Sequence, residues 1–284
     1  MLTDQLFEHW NTDPPAVVGE VHRLIGPCDV LLGGSLADDL GTIGSDVDLY
    51  CFRAGVGPPH RFPLLTSCAD ANLELHVVDV AAEAGSPDDL RPLLTDPQPR
   101  APRQWPLLSP QRFRQMHALY RGRALHAEGP AELARRAWGA DLVHLYAGLR
   151  ATLTAGTLAE DLVAFPGPEY ATARLYCARL SVESAIDAAL ATCALVNPNP
   201  KWRLLLASRA RLVEDGFPDP DRLLGALFPH PAELDGAVQH CLEVAAECLR
   251  LVLADGILSR FPAVRAAAEL VESVAAGRLP VGSP

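Results

Sequence analysis

The sequence predicts an α+β protein in which a small mixed sheet flanked by helices precedes an all-helical bundle. Short apolar runs bounded by glycine and proline occur between residues 28 and 80, as expected for strands. From about residue 131 to 277, apolar residues recur at three- and four-residue spacing, and breaks rich in Pro and Gly separate the segments. We therefore assign residues 1–130 to a mixed α/β domain and residues 131–284 to a helical domain.

The first elements follow from local patterns. Residues 14–25 (PPAVVGEVHRLI) begin with proline and carry apolar side chains at helical spacing, which predicts a helix. Residues 28–34 form an apolar run that ends in two glycines, which indicates a buried strand entering a tight turn. Ser35 is the expected cap of one or two helical turns over residues 35–40.

The rest of this domain is predicted to contain two more strands, a loop, a helix and an edge strand. Residues 46–52 have β-branched and aromatic character, and residues 72–80 alternate in polarity. Both patterns are typical of strands. The intervening RAGVGPPHRFP is a loop. PQRFRQMHALY predicts a helix and RGRALHAEG a last edge strand.

Composition narrows the classes of function. The chain has 24 basic and 35 acidic side chains and a formal net charge of −11. Because binding phosphate groups requires a basic surface, this balance argues against a nucleic-acid-binding protein. It is compatible with a cationic or neutral small molecule as substrate.

Cysteine usage and hydropathy indicate a cytoplasmic protein that does not bind membranes. Seven scattered cysteines without a CxxC pair argue against a disulfide framework and for a reducing compartment. No apolar stretch reaches the length of a spanning helix, about 18 residues, and the first residues lack the pattern of a signal peptide. The histidines show no HExxH pattern, so a histidine zinc site is not predicted.

Asp46 and Asp48 are the first candidate functional residues. On one face of a strand their side chains lie roughly 6–7 Å apart. At an effective dielectric constant of about 20, two unit charges at that distance repel by about 2.5 kcal/mol. A shared cation removes this cost, and Mg²⁺ suits oxygen ligands and keeps positions open for phosphate. The pair can therefore converge on the two Mg²⁺ ions of a phosphoryl-transfer site, although Asp-x-Asp taken alone is more often a solvated strand end.

The glycines upstream supply the second half of this site. A strand that ends in Gly33-Gly34 lets a polyphosphate approach the backbone, and the Ser35 hydroxyl adds a donor. Asp38 and Asp39 follow closely, and their charges must face outward or meet a cationic acceptor to be compatible with a triphosphate.

This segment resembles the DNA polymerase beta-like nucleotidyltransferase superfamily. Its pattern is a hydrophobic residue, Gly-Gly-Ser, ten residues and Asp-x-Asp, and Ser45 completes the Ser-Asp-x-Asp-Leu form. With the strand LELHVV, GSLADDLGTIGSDVDL is most similar to streptomycin/spectinomycin adenylyltransferases, which also have a helical C-terminal domain. The close resemblance covers residues 28 to 80.

The resemblance implies a role for each matching residue. Asp46 and Asp48 would hold magnesium. Gly34 and Ser35, grouped with Ser45, would bind the nucleotide triphosphate. Glu74 would accept the proton of the acceptor hydroxyl and contact a metal.

Asp79 is the rival third carboxylate. Glu74 is preferred because Asp79 lies on the opposite face of the strand and near its end. An irregularity in the strand would reverse this choice.

Lys201 is the one lysine among the basic residues, which are otherwise arginine. Its compact ammonium suits a nucleotide phosphate, although a chance escape from the arginine bias explains it equally simply. The neighbouring Trp202 either stacks on a base or sugar or is a buried core aromatic.

Further residues are candidates for contacts with the substrate, and two of them also have a structural interpretation. Glu183 either binds an amino group of a substrate or holds a buried polar contact. Arg174 and Tyr170 are on a helical segment from which they would reach a cleft. His76 shares a face with Glu74 and either lines the site or is structural. Asp141 is a weaker candidate of the same kind.

The leading hypothesis is a magnesium-dependent enzyme that transfers AMP from ATP to a hydroxyl of a small molecule. The resemblance implies an aminoglycoside-type acceptor and hence antibiotic resistance. Two alternatives remain open, a toxin or regulator that modifies protein or RNA, and a degenerate nucleotide-binding protein.

Overall fold

The computed structural model describes residues 3–55, 63–79, 90–91, 108–129, 131, 140–165, 167–214, 216–229 and 234–279. The described residues divide into two compact units. The first contains those between 3 and 143 and residues 197–199, and the second contains those from 144 to 196 and from 200 onward. The domain boundary near residue 130 stays a prediction.

A mixed sheet forms the centre of the first unit. Its strands are β1 (Asp29–Leu32), β2 (Val47–Arg53), β3 (Leu64–Cys68), β4 (Ala71–Asp79) and β5 (Arg123–His126). Among the described residues the sheet has five strands in the order β3-β4-β2-β1-β5. β2 and β4 pair in parallel, and the other neighbours pair antiparallel. This mixed sheet and the helical second unit confirm the predicted fold class.

Helices cover both faces of the sheet. They are α1 (Thr3–His9), α2 (Pro14–Ile25), the short α3 (Gly34–Ala37) and α4 (Pro110–Arg121). α1 and α2 pack on one face, where Leu49 and Leu73 are buried. α4 packs on the other, against Tyr50 and Phe52. Alternation along β2 thus separates two cores, one on each side of the sheet.

Helix capping explains why two of the predicted helices have sharp starts. Asp13 accepts a hydrogen bond from the Ala16 amide at 2.7 Å, and Pro14 opens α2. Ser109 caps α4 in the same way, through the Arg112 amide at 3.2 Å. The helices predicted over residues 14–25 and from Pro110 are confirmed.

Three details of the first unit differ from the prediction. Ser35 does not cap a helix, because α3 already begins at Gly34 and Gly33 occupies the cap position without a side-chain bond. α1 was not predicted. β3 was not predicted either, because it is an exposed strand at the sheet edge that lacks inside–outside alternation. The predicted loop after β2 lies largely outside the described residues.

The second unit is helical, as predicted. Its elements are α5 (Ala140–Ala164, from His144 onward), α6 (Ala171–Thr192), α7 (Arg203–Arg211), α8 (Pro220–Leu227), α9 (Leu234–Ala254) and α10 (Pro262–Ala275). α9 packs against α6 and α10. At Gly156 in α5, an added Cβ would lie 2.6 Å from the Ala267 Cβ. Small residues therefore permit close helix packing in this bundle.

All seven cysteines are free thiols, as the sequence predicts. None of the helices that the structure describes combines the length and the apolar character needed to cross a membrane.

Asp29 ties β1 to the chain after β5, and replacing it should destabilise the first unit. Asp29 is 4% exposed. It accepts hydrogen bonds from the Glu128 amide at 3.1 Å and the Ala131 amide at 2.7 Å. Asp29→Asn offers one acceptor oxygen to two donors and should lower the free energy of unfolding by about 1–3 kcal/mol, as measured by urea denaturation. Asp70→Asn, at an exposed position, is the matched control and should change it by less than about 0.5 kcal/mol.

Candidate functional site

The parallel pairing of β2 with β4 brings two acidic side chains together. Asp48 and Glu74 are register partners, and each side chain is 31% exposed. The pairing continues without a break to Arg53 and Asp79 at the far end of the strands. Glu74, and not Asp79, is therefore level with Asp48.

His76 lies beside both carboxylates. Its Nε2 is 3.7 Å from Oδ1 of Asp48 and 4.0 Å from Oε2 of Glu74. Because His76 is two residues after Glu74 on β4, both side chains point to the same face of the sheet. Of the two interpretations that the sequence left open, the structure favours a residue that lines the site.

Tyr50 holds the imidazole in place. It is the register partner of His76, and the two rings stack with centroids 4.6 Å apart. The tyrosine also covers Gly33, where an added Cβ would lie 2.5 Å from Cε2 of the ring. Burial, followed by the charge of Asp48, raises the pKa of the Tyr50 phenol, so this ring remains neutral.

Gly34 gives the Asp48 carboxylate its space. Its φ is +58°, in the left-handed region that favours glycine. An added Cβ would lie 1.9 Å from Oδ2 of Asp48. The Gly33 amide donates to the Asp48 carbonyl oxygen at 2.8 Å, which fixes the two segments side by side. The predicted proximity of the Gly-Gly turn to Asp48 is thus present in the fold.

Asp46 lies just before β2 and is exposed. The structure does not group its carboxylate with those of Asp48 and Glu74, although its charge acts on Glu74. Ser45 shapes the preceding turn, because its hydroxyl accepts a hydrogen bond from the Thr42 amide at 2.9 Å. Ser35 is buried in α3.

The two acids after the Gly-Gly-Ser turn have their own partners. Asp38 is buried and accepts hydrogen bonds from Arg121 at 3.1 Å and from Asn197 at 2.8 Å. Asp39 accepts from the Thr3 amide and hydroxyl at 3.2 and 2.8 Å. Arg121 is thus a cationic partner of Asp38 within the fold, which the sequence did not predict.

The pKa of the Glu74 carboxyl is shifted by its surroundings. Its burial, together with the negative charges of Asp48 and Asp46, raises the pKa of its carboxyl, and His76 opposes this effect. Glu74 is consequently a better proton acceptor than an ordinary surface glutamate.

The donor set of this site fits a divalent metal ion. Asp48, Glu74 and His76 each offer one ligand atom, and these atoms lie within 4.8 Å of one another. Within the described part of the chain, this is the group with metal-ligand spacing. We call these three residues the β2–β4 cluster.

The remaining predicted residues, apart from Asp141, belong to the second unit. Lys201 and Trp202 form a 3-10 turn (Pro200–Trp202), and the ammonium lies 5.0 Å from the centre of the indole ring. Nε1 of Trp202 is buried and has no hydrogen-bond partner among the described residues. A nucleotide contact by either residue stays a prediction.

Glu183 is held by two arginines. Arg203 donates to its carboxylate at 3.1 Å and Arg179 at 3.2 Å. Arg203 also binds Asp187 through two hydrogen bonds, at 2.7 and 2.9 Å. These contacts favour the structural interpretation of Glu183, a polar contact within the bundle.

The other predicted contacts have less defined surroundings. Tyr170 stacks on Phe165 with ring centroids 5.6 Å apart. Arg174 lies half-buried on α6. Asp141 is in the first turn of α5, and its side chain lies outside the described atoms. Their predicted roles remain predictions.

Comparisons with known proteins add a similarity to solved structures. No protein-family model matches this chain, and no curated protein shows a significant match. Among solved structures, a nucleotidyltransferase-like protein from Exiguobacterium sibiricum is similar, with a TM-score of 0.42 and 11% sequence identity over 86% of this chain and 77% of that chain. At this level of similarity, function has to be inferred from the residues of the chain itself.

The raised pKa of Glu74 predicts a cost in stability. Its carboxyl favours the folded state below the ordinary glutamate pKa, about 4.3, and this contribution is lost as the pH rises through the raised folded-state value. Glu74→Gln should therefore increase the free energy of unfolding of the metal-free protein at neutral pH, with no gain below about pH 4. Urea denaturation in a chelator across this pH range measures the difference.

Glu20→Gln is the control with the opposite sign. The hydrogen bond from Arg23 lowers the pKa of Glu20, so that the charged form is the favoured one. This variant should show no gain at neutral pH. An equal gain in both variants would contradict the assignment.

Proposed function

We propose that this protein is a nucleotidyltransferase that transfers a nucleoside monophosphate, AMP from ATP, to a hydroxyl group of a small molecule. One observation carries the proposal. Two carboxylates, Asp48 and Glu74, face each other on adjacent parallel strands, directly beside a Gly-Gly turn. The same segment carries the Gly-Gly-Ser and Asp-x-Asp pattern of the superfamily that the sequence resembles.

The proposed reaction is an in-line displacement at phosphorus. The acceptor oxygen attacks the α-phosphorus of ATP, the bond from that phosphorus to the bridging oxygen breaks, and pyrophosphate leaves. The acceptor hydroxyl must lose its proton. Glu74 accepts it in this proposal, because its carboxylate lies level with Asp48 on the neighbouring strand, at the point where the reacting groups would bind.

The chain would contribute mainly positioning and charge. Asp48 and Glu74 would hold a divalent cation, with Asp46 nearby to complete the set, and the sequence predicts Mg²⁺ in this role. When bound, such an ion neutralises charge on the phosphates and orients them. Glycine at position 34 would keep the turn close to this ion site, because it lets the Asp48 carboxylate lie directly against the turn backbone.

An aminoglycoside-type cation is the proposed acceptor class. The net charge of −11 suits a positively charged substrate. Asp46, Asp48 and Glu74, at the start of β2 and on β4, are exposed or half-exposed. Their negative charges would also attract a cationic substrate.

Asp48→Asn should remove transfer while the fold is retained. Losing a carboxylate that would hold the charge-neutralising cation should lower kcat by a factor of at least about 10². The assay is pyrophosphate release with Mg²⁺-ATP and a panel of aminoglycosides, with mass spectrometry of the products. Asp70→Asn, at an exposed position, should keep full activity. Unimpaired turnover of Asp48→Asn would refute the role of this residue.

Glu74→Gln should lower the rate far more than the affinity for ATP, because the proton acceptor acts in the chemical step. Single-turnover kinetics and nucleotide binding separate the two effects. An equal loss in both would remove Glu74 from the proton-accepting role.

The choice of acceptor is tested with labelled ATP. Labelling of proteins or tRNA, without labelling of aminoglycosides, would move the assignment to a toxin or regulator. Nucleotide binding without turnover on any acceptor would indicate a degenerate site.

A further inference from the structure

His76 gives the β2–β4 cluster a nitrogen donor. Its Nε2 faces the carboxylates of Asp48 and Glu74 at 3.7 and 4.0 Å. Tyr50, itself buried, stacks on the ring and fixes its plane. A histidine in this position is therefore oriented toward the same point as the two acids.

We propose that His76 is a third metal ligand of this site, and that it makes the site prefer a first-row transition dication such as Mn²⁺ over Mg²⁺. The inference rests on the proposed function, since it specifies the metal of the same site. It concerns the metal bound by the β2–β4 cluster, not the acceptor or the nucleotide.

The preference follows from ligand chemistry. Mg²⁺ demands oxygen ligands in a nearly ideal octahedron and gains little from an imidazole. Divalent transition metals accept an imidazole nitrogen readily, and their affinity for a mixed site rises along the first row from Mn²⁺. A set of two carboxylates and one imidazole therefore discriminates against Mg²⁺ in a way that three carboxylates do not.

A second arrangement would explain the same distances. A protonated His76 would act as a counter-ion of Asp48 and Glu74, and no metal nitrogen bond would form. In that case the imidazole would be displaced by a bound cation, or would weaken its binding. Direct detection of nitrogen at the metal separates the two arrangements.

The test uses the full-length metal-free protein and Mn²⁺ as the probe. Electron paramagnetic resonance titration gives the Mn²⁺ dissociation constant, and competition with Mg²⁺ gives the selectivity ratio. Electron spin-echo envelope modulation detects an imidazole nitrogen bound to Mn²⁺. We compare the wild type with His76→Phe, which retains a ring against Tyr50, and with His76→Gln, which retains a polar side chain.

We expect nitrogen modulation in the wild type and its loss in both His76 variants. Mn²⁺ affinity should fall by at least about tenfold, while Mg²⁺ affinity changes little, so the selectivity ratio collapses. His9→Asn, at an exposed residue of α1, is the matched control and should behave as the wild type. Circular dichroism confirms that each variant is folded.

Two results would overturn the inference. In the first, Asp48→Asn abolishes Mn²⁺ binding, but the wild type shows no nitrogen modulation or both His76 variants bind Mn²⁺ with unchanged affinity. This result leaves the proposed nucleotidyl transfer intact. The other is Mn²⁺ binding that Asp48→Asn does not affect, which places the ion elsewhere and removes the metal site of the proposed function as well.

Failure of the proposed function has a different signature. Absence of transfer to every acceptor, together with nitrogen-ligated Mn²⁺ lost in the His76 variants, would refute the reaction and retain the metal assignment.

Discussion

The parallel pairing of β2 with β4 is the constraint on which the candidate site depends. It sets Asp48 level with Glu74, and Tyr50 level with His76, on one face of the sheet. Because side chains alternate along a strand, a slip of one residue would turn Glu74 and His76 to the opposite face and separate them from Asp48. The apolar residues of the same strands, which fill a core on each side, fix this register. Packing of the hydrophobic cores therefore determines the geometry of the acids.

The first unit treats its acidic residues in two different ways. Asp38 is buried with Arg121 and Asn197 as partners, so its charge is compensated within the fold. Asp48 and Glu74 lie partly exposed beside each other, and burial and mutual repulsion raise the pKa of Glu74. An acidic side chain that is paired with a cation is compatible with a stable fold. Acidic side chains that repel one another lower stability, and such clusters are typical of functional sites. This contrast, within one small sheet, is the physical reason for assigning function to β2 and β4.

Much of this arrangement could be predicted from the sequence, since strong periodicity and capping residues determine local structure. The helix at Pro14–Ile25 and the strands around Asp48 and Glu74 follow such patterns. β3 could not be found in the same way, because Leu65 is 74% exposed on an edge strand. The distances from His76 to Asp48 depend on pairing between segments that are remote in the sequence. Spacing along one strand indicates a shared face, but not which residues of another strand lie opposite.

The topology of the sheet also has a consequence for the order of folding. β3 and β4 are joined by a tight turn and pair antiparallel, which is a local event. The parallel contact between β2 and β4 instead requires closure of a longer segment of chain, which costs more entropy. Asp48 and Glu74 thus meet only when this non-local step is complete. We therefore expect the hairpin to form before the cluster, so that the mutual repulsion of the acids arises late in folding.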